Sequence, residues 1–500
     1  AGGKFMIALP YSGQIEEKVQ AWKEEIEKWL WLESWGELYL NLALLRCRGA
    51  DLSSDFSEKV ALRIQGQLDE GKLRMFLPIL QPGRGTSGQG WEFDYPIFRV
   101  RFNEECHSCH VLPARKEKSG DNENLCSQCN RFEEFGRHSK AMAHSYLRFR
   151  SGNRRGAINF HDNYLVPVDH PTTLPRIAAY VPQWQDFHWI DRSECSEDRT
   201  SDNKKELLCS RCSLQESKPN DCDPDWLATR FHCLATLAEV RGGASKIAVL
   251  AADGDSFSYH FNSTAGITLE DQVVLGKLVY AFFCDHLIEV AKAHDCLLIY
   301  SGGDDFVIVG PWASVIDAVD ELRTKFSEWT LGRLHFSCGV FIANPGRPIY
   351  GTIRTAQDML DEAKAAPGKN AVQITDTCVP WPKFDEVYDL ARTLADAVER
   401  QVISTGFIYG LYQIYGQYEL FDKRGDVRGL RYLGRLASFV TRNLKLEWDD
   451  SPEKAALAAK LHAKFSNHLF IPNDEELLPY LRFALDWASL KGRGGRRHDS

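Results

Sequence analysis

Residues 297–312 read Leu-Leu-Ile-Tyr-Ser-Gly-Gly-Asp-Asp-Phe-Val-Ile-Val-Gly-Pro-Trp. Two apolar stretches flank Gly302-Gly303-Asp304-Asp305, which predicts a β-hairpin. The turn presents Asp304 and Asp305 at an exposed tip. Gly302 and Gly303 leave the backbone bare, so a phosphate-bearing ligand can approach closely. Adjacent aspartates repel each other, and such a tip is costly unless a cation sits there. A solvated acidic turn is the plain reading. A magnesium site for nucleotide chemistry is the sharper one.

A second carboxylate motif favours the sharper reading. The apolar run Lys246 to Ala252 ends in Asp253-Gly254-Asp255-Ser256-Phe257. An apolar strand ending in Asp-x-Asp brings two carboxylates to its tip. A long helical pattern follows over about Leu269 to Ala293, then the Gly-Gly-Asp-Asp hairpin. Helix (Ala313 to Trp329), strand (Leu334 to Ala343), helix (Ile353 to Ala365) and strand (Ala371 to Thr375) complete the segment. This order is the split βαββαβ arrangement of ferredoxin-like and palm folds. In such a sheet the Asp253 strand neighbours the one after the hairpin. Three carboxylates there can hold two Mg²⁺ or Mn²⁺ ions roughly 3.5–4 Å apart, a clamp used in nucleotidyl transfer.

These motifs resemble the second palm domain of the large polymerase/cyclase subunit of type III CRISPR effector complexes. That family carries the Asp-x-Asp strand, the Gly-Gly-Asp-Asp hairpin and an Ala-Lys…Gly-Lys-Asn context. Here the last reads Glu362-Ala363-Lys364 and Gly368-Lys369-Asn370. The resemblance implies Asp253, Asp304 and Asp305 as catalytic metal ligands and Lys369 as a triphosphate contact. It also implies nucleotide contacts at Ser256, Gly302, Gly303, Gly2 and Gly3.

The chain contains an internal echo. Ala1-Gly2-Gly3-Lys4-Phe5-Met6-Ile7-Ala8-Leu9-Pro10-Tyr11 is similar to the stretch from Ser301 to Trp312. Each copy is followed by an amphipathic helix, Gln14 to Glu33 in the first, and then a strand, Leu38 to Leu44 in the first. Self-similarity of this kind indicates two copies of one domain. Lys4 stands where the second copy has its acidic pair, and a lysine cannot ligate Mg²⁺. The first copy should therefore be degenerate, as the resemblance also implies. The chain begins without methionine, on the first hairpin. It reads as a fragment or split version of the subunit, lacking part of the first palm and an N-terminal HD domain. His161-Asp162 reads as a chance dipeptide, with no other His and Asp spaced around it in HD fashion.

Cysteine spacing adds a metal centre. Cys106-x-x-Cys109 and Cys126-x-x-Cys129 are separated by 16 residues, the pattern of a zinc ribbon. Four thiolates fill a tetrahedral Zn²⁺ shell, so the site should be structural. Cys195, Cys209, Cys212 and Cys222 form a candidate second zinc set in a polar stretch, with free thiols as the alternative. Cys47, Cys233, Cys284, Cys296, Cys338 and Cys378 read as small core hydrophobes. The usage implies a reducing compartment, most simply the cytoplasm.

Sixty Lys and Arg against 69 Asp and Glu leave a net charge of −9, which argues against nonspecific nucleic-acid binding by the whole chain. No apolar run approaches the roughly 18 residues of a membrane span. The expected class is α+β, with two ferredoxin-like palm domains (the first incomplete), a zinc-ribbon-bearing linker and a C-terminal helical domain. The boundaries read as 1–100, 101–240, 241–380 and 381–500, the last break at Val379-Pro380-Trp381-Pro382. Within the helical part, Arg428, Arg431, Arg435 and Arg442 fall near one face. That face is either solvated or a contact for a nucleic-acid duplex.

The resemblance implies a metal-dependent nucleotidyl cyclase that makes cyclic oligoadenylate from ATP when a guide CRISPR RNA, held with other type III subunits, binds target RNA. A second reading is a catalytically silent scaffold subunit of the same ribonucleoprotein. A free-standing cyclase of the GGDEF type is a third, disfavoured by the zinc insertion and the C-terminal helices.

Overall fold

The computed structural model describes residues 6–34, 38–53, 56–75, 105–109, 112–114, 125–126, 128–130, 146–152, 158–160, 163–168, 231–257, 268–301, 304–448, 451–469 and 477–493. Its centre is a six-stranded mixed sheet. Here α1 is Ile15–Ser34 and α2 is Leu62–Lys72, and β1 (Tyr146–Ser151), β2 (Ile158–Phe160) and β3 (Asn163–Val168) form a separate small sheet. Then follow α3 (Phe231–Val240), β4 (Ile247–Gly254), α4 (Leu269–Ala281), α5 (Leu287–Ala293), β5 (Leu297–Ser301) and β6 (Asp305–Pro311). The run continues with α6 (Trp312–Trp329), β7 (Phe336–Ala343), α7 (Ile349–Ala365), β8 (Ala371–Ile374) and β9 (Thr377–Pro380). The spatial order is β5-β6-β4-β7-β8-β9. Its first four strands have the ferredoxin-like arrangement, with β4 antiparallel to both β6 and β7.

Residues Ile247 to Ala252 of β4 are all buried, because both faces of the sheet are covered. Side chains alternate between two clusters, as the two-residue period of a strand requires. Ala248, Leu250 and Ala252 join Phe306 and Ile308 against α4, α5 and α6. Ile247, Val249 and Ala251 join Val307 and Val309 against Leu234 and Leu237 of α3 and Ala356 and Leu360 of α7. By this alternation Asp253 and Asp305 belong on the α7 side.

Proline marks three helix starts: α6 follows Pro311, α7 follows Pro348, and α8 (Trp381–Glu399) follows Pro380. Val379-Pro380 does more than interrupt the chain, since Thr377–Pro380 pairs antiparallel with β8 as the outermost strand. An edge strand tolerates a terminal proline because its outer side donates no ladder hydrogen bond. Beyond α8 come α9 (Thr405–Arg424), α10 (Tyr432–Asn443), α11 (Pro452–His468) and α12 (Leu481–Lys491). Ser404 caps α9 by accepting from the Phe407 amide at 3.2 Å, and Gly425 ends it at φ 64°. One buried cluster runs from Ala238 through the sheet to Ala488 of α12.

The N-terminal segment departs from expectation in one respect. The helix forms, as Ile15–Ser34, but residues 38–48 adopt no strand and neither do residues 6–12. Ile7 and Leu9 are exposed, and among the described residues no strand pairs with this stretch. A short strand without neighbours is not stable in water. Cys296 and Cys338 are buried as expected, whereas Cys47 is exposed.

Candidate active site

The C-terminal end of β4, the N-terminal ends of β6 and β7 and the last turn of α7 meet at one edge of the sheet. Asp253 lies directly opposite Asp305 in the β4–β6 register and opposite Ser337 in the β4–β7 register. The Gly254 amide donates to the Asp304 carbonyl at 3.1 Å, which joins the hairpin to the Asp-x-Asp strand end. The expected juxtaposition of Asp253, Asp304 and Asp305 is thus made by backbone pairing.

The side chains differ from an exposed acidic tip. Asp305 is 7% exposed, because it begins β6 inside the sheet. Its Oδ1 accepts from the Tyr300 hydroxyl at 2.6 Å. Burial, then the bond to Asp305, pushes the Tyr300 hydroxyl far above its ordinary range, which keeps it a donor. Asp304 is half-buried. Asp253 is about one-third exposed (32% of its side chain) and forms an ion pair with Lys364 from the last turn of α7. Burial, then the neighbouring charge of Lys369, pushes the Lys364 ammonium down to about 8, while the ion pair with Asp253 favours its charged form.

Asp255, the second carboxylate of Asp-x-Asp, turns into the protein. Ser337 Oγ lies 2.9 Å from both its oxygens, and the Asn370 amide donates to Oδ2 at 3.0 Å. Burial pushes its carboxyl up, against the hydrogen bonds that pull it down. This clasp ties the loop after α7 to the end of β4. Gly368, Lys369 and Asn370 all have positive φ, at 81°, 53° and 51°. Two non-glycine residues in that region store strain, and the clasp on Asn370 helps hold it. The result sets Lys369 Nζ 3.4 Å from Ser256 Oγ. Two ammonium groups and four carboxylates therefore gather at one sheet edge.

Tyr300, Lys364 and the Asp255 clasp are what reading by motif did not assign. Lys364 stood in the Ala-Lys context, and its place in the last helical turn was the available signal. Gly2, Gly3, Lys4, Gly302 and Gly303 lie outside the described residues, as do Cys195, Cys209, Cys212 and Cys222.

Among the described residues, one group of at least three metal-type ligands converges within 4.8 Å: Cys106, Cys109, Cys126 and Cys129. The Cys109 and Cys126 sulfurs are 3.9 Å apart, close to the edge of a tetrahedron with bonds of about 2.3 Å. The Cys129 amide points at Cys126 Sγ at 3.4 Å, and the Cys106 amide is held by the Leu112 carbonyl at 2.8 Å. The Cys129 thiol hydrogen bond pulls the Cys126 thiol down and pushes the Cys129 thiol up in exchange, so the two share a proton that a bound metal would displace. This donor set fits a structural ion. The three aspartates do not form such a converged group, with Asp253 engaged by Lys364 and Asp305 by Tyr300. An ammonium on Asp253 nevertheless marks a cation position, and carboxylate donors suit a hard divalent ion.

Farther off, Arg424, Arg428, Arg431 and Arg435 line an open concavity of about 910 Å³ with Gln417 and Leu420. Its one acidic neighbour, Asp426, is held by Arg428 at 2.7 Å. Arg442 is not among the lining residues.

A ferredoxin-like sheet with paired aspartates at its β5–β6 hairpin is the arrangement of a palm domain. Residues 246–373 match the family model described as Cas10/Cmr2, second palm domain, and residues 1–81 match Csm1 subunit domain B. A CRISPR system single-strand-specific deoxyribonuclease Cas10/Csm1 (subtype III-A) of Mycobacterium tuberculosis is 23% identical over 477 residues, 87% of this chain and 54% of that protein. The protein of the same description from Thermococcus onnurineus is 22% identical over 80% of this chain and 51% of its own length. A solved Csm1–Csm4 subcomplex of a type III-A CRISPR-Csm interference complex superposes with TM-score 0.60 at 15% identity, covering 96% of this chain and 60% of that one. A Csm1–Csm4 cassette in complex with cA4 gives TM-score 0.58 at 16% identity, with the same coverage of both chains. Two separate segments of the chain are thus similar to domains of Cas10/Csm1 subunits of type III CRISPR systems. The chain spans about half the length of these two curated relatives. Among the described residues, no helix is long and apolar enough to cross a membrane.

Proposed function

We propose that this chain serves as the palm-bearing large subunit of a type III CRISPR RNA-guided effector complex, and that its second palm joins ATP into cyclic oligoadenylate when target RNA binds. The observation that carries this reading is the antiparallel register setting Asp253 against Asp305, with Asp304 bonded to the same strand end. In this reading Asp253, Asp304 and Asp305 hold Mg²⁺ or Mn²⁺. When bound there, such ions acidify an attacking ribose hydroxyl and neutralise charge on the triphosphate. Tyr300 orients the Asp305 carboxylate, Lys369 meets the phosphates, and Ser256, Gly302, Gly303, Gly2 and Gly3 lie against the nucleotide. The four-cysteine centre holds Zn²⁺ structurally. Residues 1–100 act as a degenerate partner palm, 101–240 as the zinc-bearing linker, 241–380 as the second palm and 381–500 as the helical domain. The partners are other type III subunits, guide CRISPR RNA and target RNA, in the cytoplasm.

Solved Csm1–Csm4 cassettes in complex with AMPPNP and with cA4 support the substrate class. A silent scaffold is the second reading, favoured by the ion pair that occupies Asp253. The mass of products formed from ATP and Mg²⁺ by the assembled complex, with and without target RNA, separates the two. Ring-sized adenylate products that depend on target RNA support the cyclase. No turnover in an assembled, RNA-bound complex leaves the scaffold.

A further inference from the structure

The Asp253–Lys364 ion pair has a chemical consequence for metal loading. Asp253, Asp304 and Asp305 lie at one sheet edge, and without a cation their mutual repulsion would oppose folding of the hairpin against β4. Lys364 supplies that cation from the last turn of α7, with its side chain 22% exposed and its ammonium on Asp253 Oδ2. Gly339 on β7 fixes the approach of that helix. A Cβ there would lie 2.3 Å from the Ala356 carbonyl oxygen and 2.4 Å from the Leu360 nitrogen. Lys364 is therefore carried to Asp253 by a helix seated hard against the sheet. Four further residues along, Gly368 begins the strained turn that presents Lys369.

We propose that Lys364 is a resident counter-cation which occupies the metal position on Asp253 in the nucleotide-free protein and must be displaced before a divalent ion can bind there. This rests on the reading of Asp253, Asp304 and Asp305 as the metal ligands. An ammonium and a divalent ion cannot share one carboxylate oxygen without strong repulsion in a half-buried site. The lysine stem is flexible, so the ammonium can leave without moving α7. Metal binding to the free protein is thus weakened by competition from within the chain. A triphosphate, which brings negative charge for the displaced ammonium, relieves that competition. Lys364 acts on metal loading only through Asp253.

Mn²⁺ titration of the purified, zinc-loaded full chain without nucleotide, read by the loss of the free-ion electron paramagnetic signal, tests this. Lys364→Met should tighten Mn²⁺ binding by about tenfold, because the competitor is gone and the helix surface is conserved. Lys364→Arg, which keeps a cation, should stay within about twofold of the unsubstituted protein. Without added Mn²⁺ the methionine variant should melt lower than the parent, and Mn²⁺ should raise its melting temperature by more. If Lys364→Met does not fold, Lys364→Gln carries the same expectation. Unchanged or weaker Mn²⁺ binding in the neutral variants, with binding still lost in Asp253→Asn, overturns the placeholder role and leaves the metal site standing. Mn²⁺ binding indifferent to both Asp253→Asn and the Asp304→Asn/Asp305→Asn pair removes the metal site and this inference with it.

Discussion

Asp304 and Asp305 differ in surroundings although they are adjacent in sequence. Asp305 is buried and accepts from Tyr300, while Asp304 reaches the β4 end through its backbone. Replacing both with alanine is expected to abolish nucleotide turnover by the assembled complex, measured as adenylate product from ATP. It should also lower stability by about 1–2 kcal/mol, since the Tyr300 hydroxyl loses its acceptor. Full turnover in a folded double variant would refute the assignment. At the cysteine centre, elemental analysis should find at least one zinc per chain. Cys109→Ser should lower the melting temperature and release the metal more readily to a chelator, because three thiolates and a hydroxyl bind zinc more weakly. A folded, metal-free parent chain would contradict this. The four cysteines were legible from spacing alone, since short loops bring ligands together whatever surrounds them. Tyr300 and Lys364 were not assigned, since their contacts depend on a strand register and a helix seating.

At the scale of elements, the contact of α7 with β7 is the one most exposed to a small change. Gly339→Ala would force the helix outward from backbone atoms that cannot yield. The expected cost is about 1–3 kcal/mol of overpacking, read by denaturant titration, with nucleotide affinity falling because Lys364 and Lys369 ride on that helix and its following turn. A second element contact joins α8 to α11, where Asp389 is paired with both Lys460 and Lys464. Burial pushes the Asp389 carboxyl up, but hydrogen bonds from the lysines outweigh it and hold it below its usual range. A depressed folded value means the pair stabilises above the unfolded aspartate range near about 4 and loses that effect as pH falls through the folded value. Half of the Asp389 side chain is exposed, so Asp389→Asn should cost no more than about 1 kcal/mol at pH 7. The gap between parent and variant melting temperatures should close as pH drops below about 4. A gap that persists there would mean packing, not charge, sets the effect.

Across the whole molecule, the sheet and the C-terminal helices share one apolar cluster. Trp381 stands at its joint, donating to the Phe336 carbonyl at 2.7 Å and stacking edge-on with Phe336 and Phe384. Calorimetry should therefore show residues 241–493 unfolding in one transition. Trp381→Ala should lower stability by about 3–5 kcal/mol and loosen both the sheet and α8 in hydrogen exchange. Two separate transitions, only one of them shifted by the substitution, would show that the joint does not couple them.

The sequence by itself determined the order of elements from β4 to β8, the pairing of Asp-x-Asp with the hairpin, and the cysteine centre. The elements and the cysteine centre are set by local periodicity, turn chemistry or short spacing, and the pairing follows from the βαββαβ order of those elements. It overestimated the first copy, where Leu38 to Leu44 has strand composition but remains irregular. A strand exists only when a neighbour pairs with it, and composition does not supply one. Tertiary structure alone decided that Asp305 is buried, that Asp255 turns inward to Ser337 and that Lys364 neutralises Asp253. Those outcomes follow from which face of each strand meets α7 and how closely Gly339 lets that helix approach, distances that arise only when remote segments pack together.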